Sequence, residues 1–222
     1  TKHCLQNPVK RSGDPHLSET TKPRETDEED VVFGTGGGLD LKCDIFTPPG
    51  GKPENAPAIL LIHGGAWKLG DRKQLQGYGF LIGREGFVCV ASEYRLSEEA
   101  GWPALLHDTK TAIRWMRANA DRLGIDPDRI AVSGHSSGGH RALVAAATAN
   151  DPALEGDGGN NDASSDVAAV ISFYAPTELS PKAAMLNEFV ELLMGPDATE
   201  ADYREASPVA YVHDDLPPIM LM

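Results

Sequence analysis

The rhythm of apolar and polar positions changes twice along the chain. Residues Thr1 to about Asp30 are polar and charged, with few large apolar groups, and read as a flexible extension. Strand signals begin at Val31-Val32-Phe33. A glycine-rich turn from Gly34 to Gly38 follows, and Leu39 to Phe46 then alternates apolar and polar as a half-buried strand does. Pro48, Pro49, Gly50 and Gly51 stop it. Beyond them Ala58-Ile59-Leu60-Leu61-Ile62 is apolar without alternation, as are Phe87 to Ala91, Ile130 to Val132 and Val167 to Phe173. Such runs are strands of a parallel sheet covered on both faces. Helical spacing separates them: Leu105, Thr109, Ala112, Ile113, Met116 and Ala120 fall on one face. Strands alternating with helices predict an α/β fold, a doubly wound and mostly parallel sheet, in one domain over residues 31–222.

Composition narrows the class without changing that picture. With 222 residues, 41% of them apolar and 24% charged, the chain is an ordinary soluble globular domain. Its 20 basic and 33 acidic side chains leave a net charge of -13, which repels phosphate backbones and anionic lipid, so neither nucleic acid nor a membrane is expected as a partner. No apolar run approaches the roughly 20 residues of a membrane span. No signal peptide is visible, but a removed one leaves no trace, so secretion or a periplasmic location stays open, as does the oligomeric state. Cys4, Cys43 and Cys89 are too few and too scattered for a disulfide framework or a metal site, and Cys89 reads as a small buried hydrophobe.

The chemistry concentrates in two glycine-rich turns. Gly134-His135-Ser136-Ser137-Gly138 matches G-x-S-x-G between a buried strand (Arg129 to Ser133) and a small-residue helix (Gly139 to Ala149). That pattern places a serine on a sharp strand-to-helix turn, where its hydroxyl is exposed and the helix N-terminus faces developing negative charge. Ser136 is therefore the candidate nucleophile. Directly after the Ala58 to Ile62 strand comes His63-Gly64-Gly65-Ala66-Trp67, whose small residues let backbone N–H groups approach a carbonyl oxygen. Gly65, Ala66 and Ser137 are the candidate oxyanion-hole donors.

These turns, together with Tyr94-Arg95-Leu96-Ser97, Trp102-Pro103-Ala104, His107-Asp108, Gly124 to Ile130 and Ala175-Pro176-Thr177-Glu178-Leu179, resemble the carboxylesterase branch of the α/β-hydrolases. That branch includes the hormone-sensitive-lipase-like enzymes and the BD-FAE type of acetylxylan and feruloyl esterases. The resemblance implies hydrolysis of short-acyl or acetyl esters, of small molecules or of plant polysaccharide, through a serine acyl-enzyme without metal or organic cofactor. It also implies that Trp67 borders an acyl pocket and that 181–203 forms a helical cap that selects substrate. In this family the triad runs Ser, Asp, His, with the acid after the strand that follows a Pro-Pro pair. That pair is Pro217-Pro218, so the resemblance expects the acid and base beyond Met222, the fold's C-terminal strand and helix with them, and a truncated chain that is inactive or very weak.

Other residues read more plainly. His140 and His213 are assigned to packing or surface, His135 no role, Asp108 either a brace or a solvated carboxylate, and Glu155 to Asn160 a surface loop. Two alternatives remain: an amidase such as a kynurenine formamidase, which carries a similar HGG-x-W element, and a catalytically inert fragment.

Overall fold

The computed structural model describes residues 27–180 and 187–222. The first 26 residues of the expected extension and the first six of the expected cap lie outside the described residues, while Glu28, Glu29 and Asp30 at the end of that expected extension belong to the first strand. Seven strands make one mixed sheet: β1 (Glu28–Gly36), β2 (Leu39–Phe46), β3 (Ala56–Ile62), β4 (Val88–Ser92), β5 (Ile125–His135), β6 (Ala169–Phe173) and β7 (Ile219–Leu221). Their spatial order is β1-β2-β4-β3-β5-β6-β7. Strand β1 pairs antiparallel with β2, β2 pairs antiparallel with β4, and β4, β3, β5, β6 and β7 run parallel.

The helices explain why the parallel strands lack alternation. Helix α1 (Gln76–Arg84) packs on one face, and α2 (Ala104–Ala118) and α4 (Ser137–Ala147) pack on the other, with the short α3 (Ala120–Leu123) after α2. Ala58, Leu60, Ile62, Val88 and Val90 join the larger core under α2 and α4. Their alternates Ile59, Leu61, Cys89 and Ala91 join a smaller core with Phe46 and Leu75 under α1. Every residue of the apolar helical face named from sequence is buried, with Ala120 at the start of α3 and the others on α2. The chain after β6 carries α5 (Asn187–Met194) and α6 (Glu200–Glu205), held to the core by the buried Val190, Leu193, Tyr203 and Ala206. A capping box at Thr199 and Asp202 starts α6. Strand β7 is an edge whose Ile219, Met220 and Leu221 are exposed. Among the described residues no helix is long and apolar enough to cross a membrane.

The topology creates one privileged position. From β3 the chain crosses by α1 to β4, then returns past β3 by α2 to β5. Successive connections therefore leave β3 in opposite directions, which opens a crevice at the carboxyl ends of β3 and β5. Ile62 pairs with Gly134 there, so the loops that follow the two strands emerge side by side.

Candidate active site

The elbow is built by a backbone conformation that its neighbours enforce. Ser136 has φ 53° and ψ −124°, a region nearly closed to residues with a β-carbon. Its N–H donates to Phe173 O at 2.9 Å, and its carbonyl takes the His140 N–H at 3.0 Å to start α4. Gly138 makes the turn possible, because a β-carbon there would lie 2.2 Å from Ile62 O. Ser136 itself is half-buried, and no described side chain hydrogen-bonds its hydroxyl.

The facing loop is equally constrained. Gly65 has φ 125°, and a β-carbon on it would meet Leu69 O at 1.9 Å. Ala66 (φ 51°) and Trp67 (φ 60°) continue in the left-handed region. Gly65 O accepts from Lys68 N at 3.0 Å and Leu69 N at 2.8 Å, which closes the loop on itself. Among the described residues no acceptor takes the N–H of Gly65, Ala66 or Ser137, whereas Gly64 N–H is committed to His135 Nε2 at 3.3 Å. Three unspent donors thus lie on the adjacent turns that follow β3 and β5. Arg72 pins the far end of the loop. It is 7% exposed and pairs with Asp44 (2.8 Å), Glu93 (2.5 Å) and Asp30.

Beneath both loops sits a cation with no anion. Arg141 is fully buried and, among the described residues, forms no ion pair. Its Nη2 donates to His63 O at 3.0 Å and its Nε to Ser137 O at 3.3 Å, while its guanidinium lies 3.1 Å over the Tyr94 ring. Tyr94 stacks on His63 with 4.3 Å between ring centroids. Burial, then the Arg141 charge, lowers the His63 pKa to about 4, so His63 is neutral at pH 7. The guanidinium ties the carbonyls of the two site loops together.

The sequence-level candidates are placed unequally. Ser136, Gly65, Ala66 and Ser137 converge at the crevice. Trp67 does not present its ring there: it is 1% exposed, and its indole N–H donates to His140 Nδ1 at 3.2 Å. His140 is fully buried, and its Nε2 donates to Ala206 O at 2.7 Å. With both nitrogens used and burial lowering its pKa to about 4, it is a packing residue rather than a surface one, and cannot serve Ser136 as a base. His213 is exposed, its Nδ1 accepting from Asp215 N at 3.2 Å in a polar turn. Asp108 is not a solvated carboxylate. It is 1% exposed and holds Arg95 through both oxygens, at 2.7 Å to Nη2 and 2.9 Å to Nε. Glu155 is more than a loop residue, because Lys110 (2.8 Å) and Arg114 (2.6 Å) both converge on it. Sequence reasoning passed over Arg141 altogether. The only signal was a cation two residues after the Gly138-Gly139 pair, on a helix that otherwise reads as small and apolar.

Comparison with known proteins agrees with this geometry. The BD-FAE family model matches residues 43–222. Esterase LipQ of Mycobacterium tuberculosis is 32% identical over 218 residues, covering 94% of this chain and 51% of that protein. Esterase LipC of the same organism is 36% identical over 177 residues, covering 75% of this chain and 43% of that protein. The chain thus spans about half the length of the curated relatives it matches. Among solved structures, the propionate-bound esterase 2 of Thermogutta terrifontis superposes with a TM-score of 0.75 at 29% identity, over 90% of this chain and 72% of that one. With a strained serine elbow facing a glycine-rich loop, a family model matched over most of its length and esterases alike in sequence and fold, the chain belongs to the BD-FAE family, in the carboxylesterase branch of the α/β-hydrolases.

Proposed function

We propose that the protein hydrolyses carboxylic esters of short acyl chains through an acyl-enzyme on Ser136. The observation that carries this reading is the elbow: a non-glycine residue held at φ 53° and ψ −124° after β5, beside a loop after β3 whose Gly65 and Ala66 N–H groups are unspent. Strain of this kind persists only where the surrounding fold over-determines it, and it clusters at reactive sites. The Ser136 oxygen adds to the ester carbonyl carbon while its proton passes to a base. The carbonyl oxygen becomes an oxyanion held by the N–H groups of Gly65, Ala66 and Ser137. Collapse expels the alcohol, which takes up the proton. Water then adds to the acyl-serine and releases the acid. Among the described residues no imidazole hydrogen-bonds Ser136, and the resemblance assigns the base to a His of a Ser-Asp-His triad. Helices α5 and α6 would shape the acyl and alcohol subsites as a cap. The Thermogutta esterase 2 structures with bound propionate and butyrate support short acyl groups. Acetyl groups on plant polysaccharide are one source of such esters.

The same observation about the base favours a second reading, in which these 222 residues bind esters without fast turnover. Hydrolysis of p-nitrophenyl acetate and of N-formylkynurenine, by the wild type and by Ser136→Ala, separates the readings. Ester hydrolysis that falls by roughly 10³-fold or more in Ser136→Ala supports the proposal. Preference for the amide would make it a formamidase, and hydrolysis indifferent to Ser136 would overturn the serine mechanism.

A further inference from the structure

We propose that His135, the variable residue of the elbow, is a positioning residue that fastens the oxyanion loop by accepting the Gly64 N–H. This deepens, and rests on, the esterase reading of Ser136. The two loops come from different strands, and the β3–β5 ladder ends at Ile62 and Gly134. Beyond that point the ladder no longer sets their separation. The His135 imidazole supplies the next connection: its Nε2 accepts the Gly64 N–H at 3.3 Å. The contact is close along the whole ring edge. A β-carbon on Gly64 would lie 2.9 Å from His135 Cδ2 and 2.8 Å from His135 O. Gly64 must therefore be glycine for the imidazole to reach its N–H.

Two consequences follow for the site. The bond turns the Gly64 N–H toward His135, and the chain reverses through Gly65 at φ 125° directly afterwards. The amides of Gly65 and Ala66 are then the first in the loop left free for substrate. Second, the bond exists only while Nε2 carries a lone pair, so His135 must be neutral with its proton on Nδ1. The surroundings favour that form. His63 from the loop, Tyr174 with its ring centroid 6.2 Å away after β6, and Tyr78 of α1 are the titratable groups around the imidazole. Among the described residues no carboxylate lines the cavity it shares with the tyrosines. Partial burial lowers the His135 pKa from 6.5. Protonation would set an N–H against an N–H and release the loop.

Glycine-labelled ¹⁵N protein, with the Gly64 and Gly65 amides assigned, tests the link without any substrate. Between pH 7.5 and 4.5 the Gly64 amide of the wild type is expected to move through one transition below pH 6.5, together with the His135 ring protons. His135→Gln, which keeps an acceptor near the Nε2 position but does not titrate, is expected to abolish that transition. His135→Leu is expected to speed exchange of the Gly64 and Gly65 amides by about tenfold and to lower kcat on p-nitrophenyl acetate by about tenfold, with KM within roughly twofold. His135→Gln should restore kcat to within about threefold of wild type. A Gly64 amide that ignores His135, a transition that survives in His135→Gln, or equal kcat in the wild type and His135→Leu would each overturn the inference. A wild type that hydrolyses no ester would sink the esterase reading, and the amide spectra would still decide the lock.

Discussion

Replacing Ser136 by glycine is expected to make the protein more stable than replacing it by alanine, although both changes remove the hydroxyl. The comparison isolates the β-carbon. At φ 53° and ψ −124° a β-carbon costs about 1–3 kcal/mol of backbone strain, which glycine does not pay. Against this, glycine gives the unfolded chain more freedom, worth about 0.4–1 kcal/mol. Ser136 is half-buried, so the lost methyl of alanine removes little apolar contact. The balance favours glycine by about 1 kcal/mol, or about 2–4 °C in melting temperature for a domain of this size. Urea unfolding of the two variants, fitted with a common slope, measures the difference. At an unstrained position the order reverses, and glycine is the less stable by about 0.5–1 kcal/mol. That reversed order would refute the claim that the elbow stores strain at the nucleophile.

Further expectations concern the groups beneath the site. His63 and His140 have folded pKa values of about 4 against 6.5 when unfolded, so the unfolded chain binds more protons between those values. The stability they contribute is complete above pH 6.5 and is lost as pH falls toward 4, by about 3 kcal/mol for each residue; a urea midpoint unchanged between pH 7 and pH 4.5 would contradict it. His140→Leu leaves the Trp67 N–H and the Ala206 carbonyl buried without partners and should cost about 2–4 kcal/mol, and it should also flatten the acid dependence; a loss under 1 kcal/mol would show that both groups find other partners. Asp108→Asn removes the charge that holds Arg95 and should cost about 3 kcal/mol by chemical denaturation, whereas a solvated carboxylate would cost almost nothing.

What could be read in the sequence was what local sterics decide. The unalternating apolar runs betray strands covered on both faces, and the glycines at 64, 65, 134 and 138 mark turns that a β-carbon would block. Strand ends were less legible: β1 starts at Glu28 rather than Val31, and β5 runs from Ile125 because Ala56 extends the ladder to it. Helix α1 carries Tyr78 and Leu81 on its exposed side, so it does not present a clean apolar stripe. The supporting polar groups were hidden for a different reason. His140 meets Ala206 across 66 positions, Arg141 meets His63 across 78, and Gly64 meets His135 across 71. Each of these residues looks like an ordinary polar side chain until the fold buries it beside a partner far away in the chain.

The central claim is that Ser136 is the nucleophile of an ester hydrolase. Intact-mass and peptide-mass measurement after exposure to an organophosphate ester tests it most directly, because the reagent bonds the serine that attacks it and leaves a stable adduct. One phosphoryl group per chain is expected, located on the peptide that holds Ser136 and absent from Ser136→Ala. An adduct on another residue, or labelling of Ser136→Ala at the wild-type rate, would contradict the account.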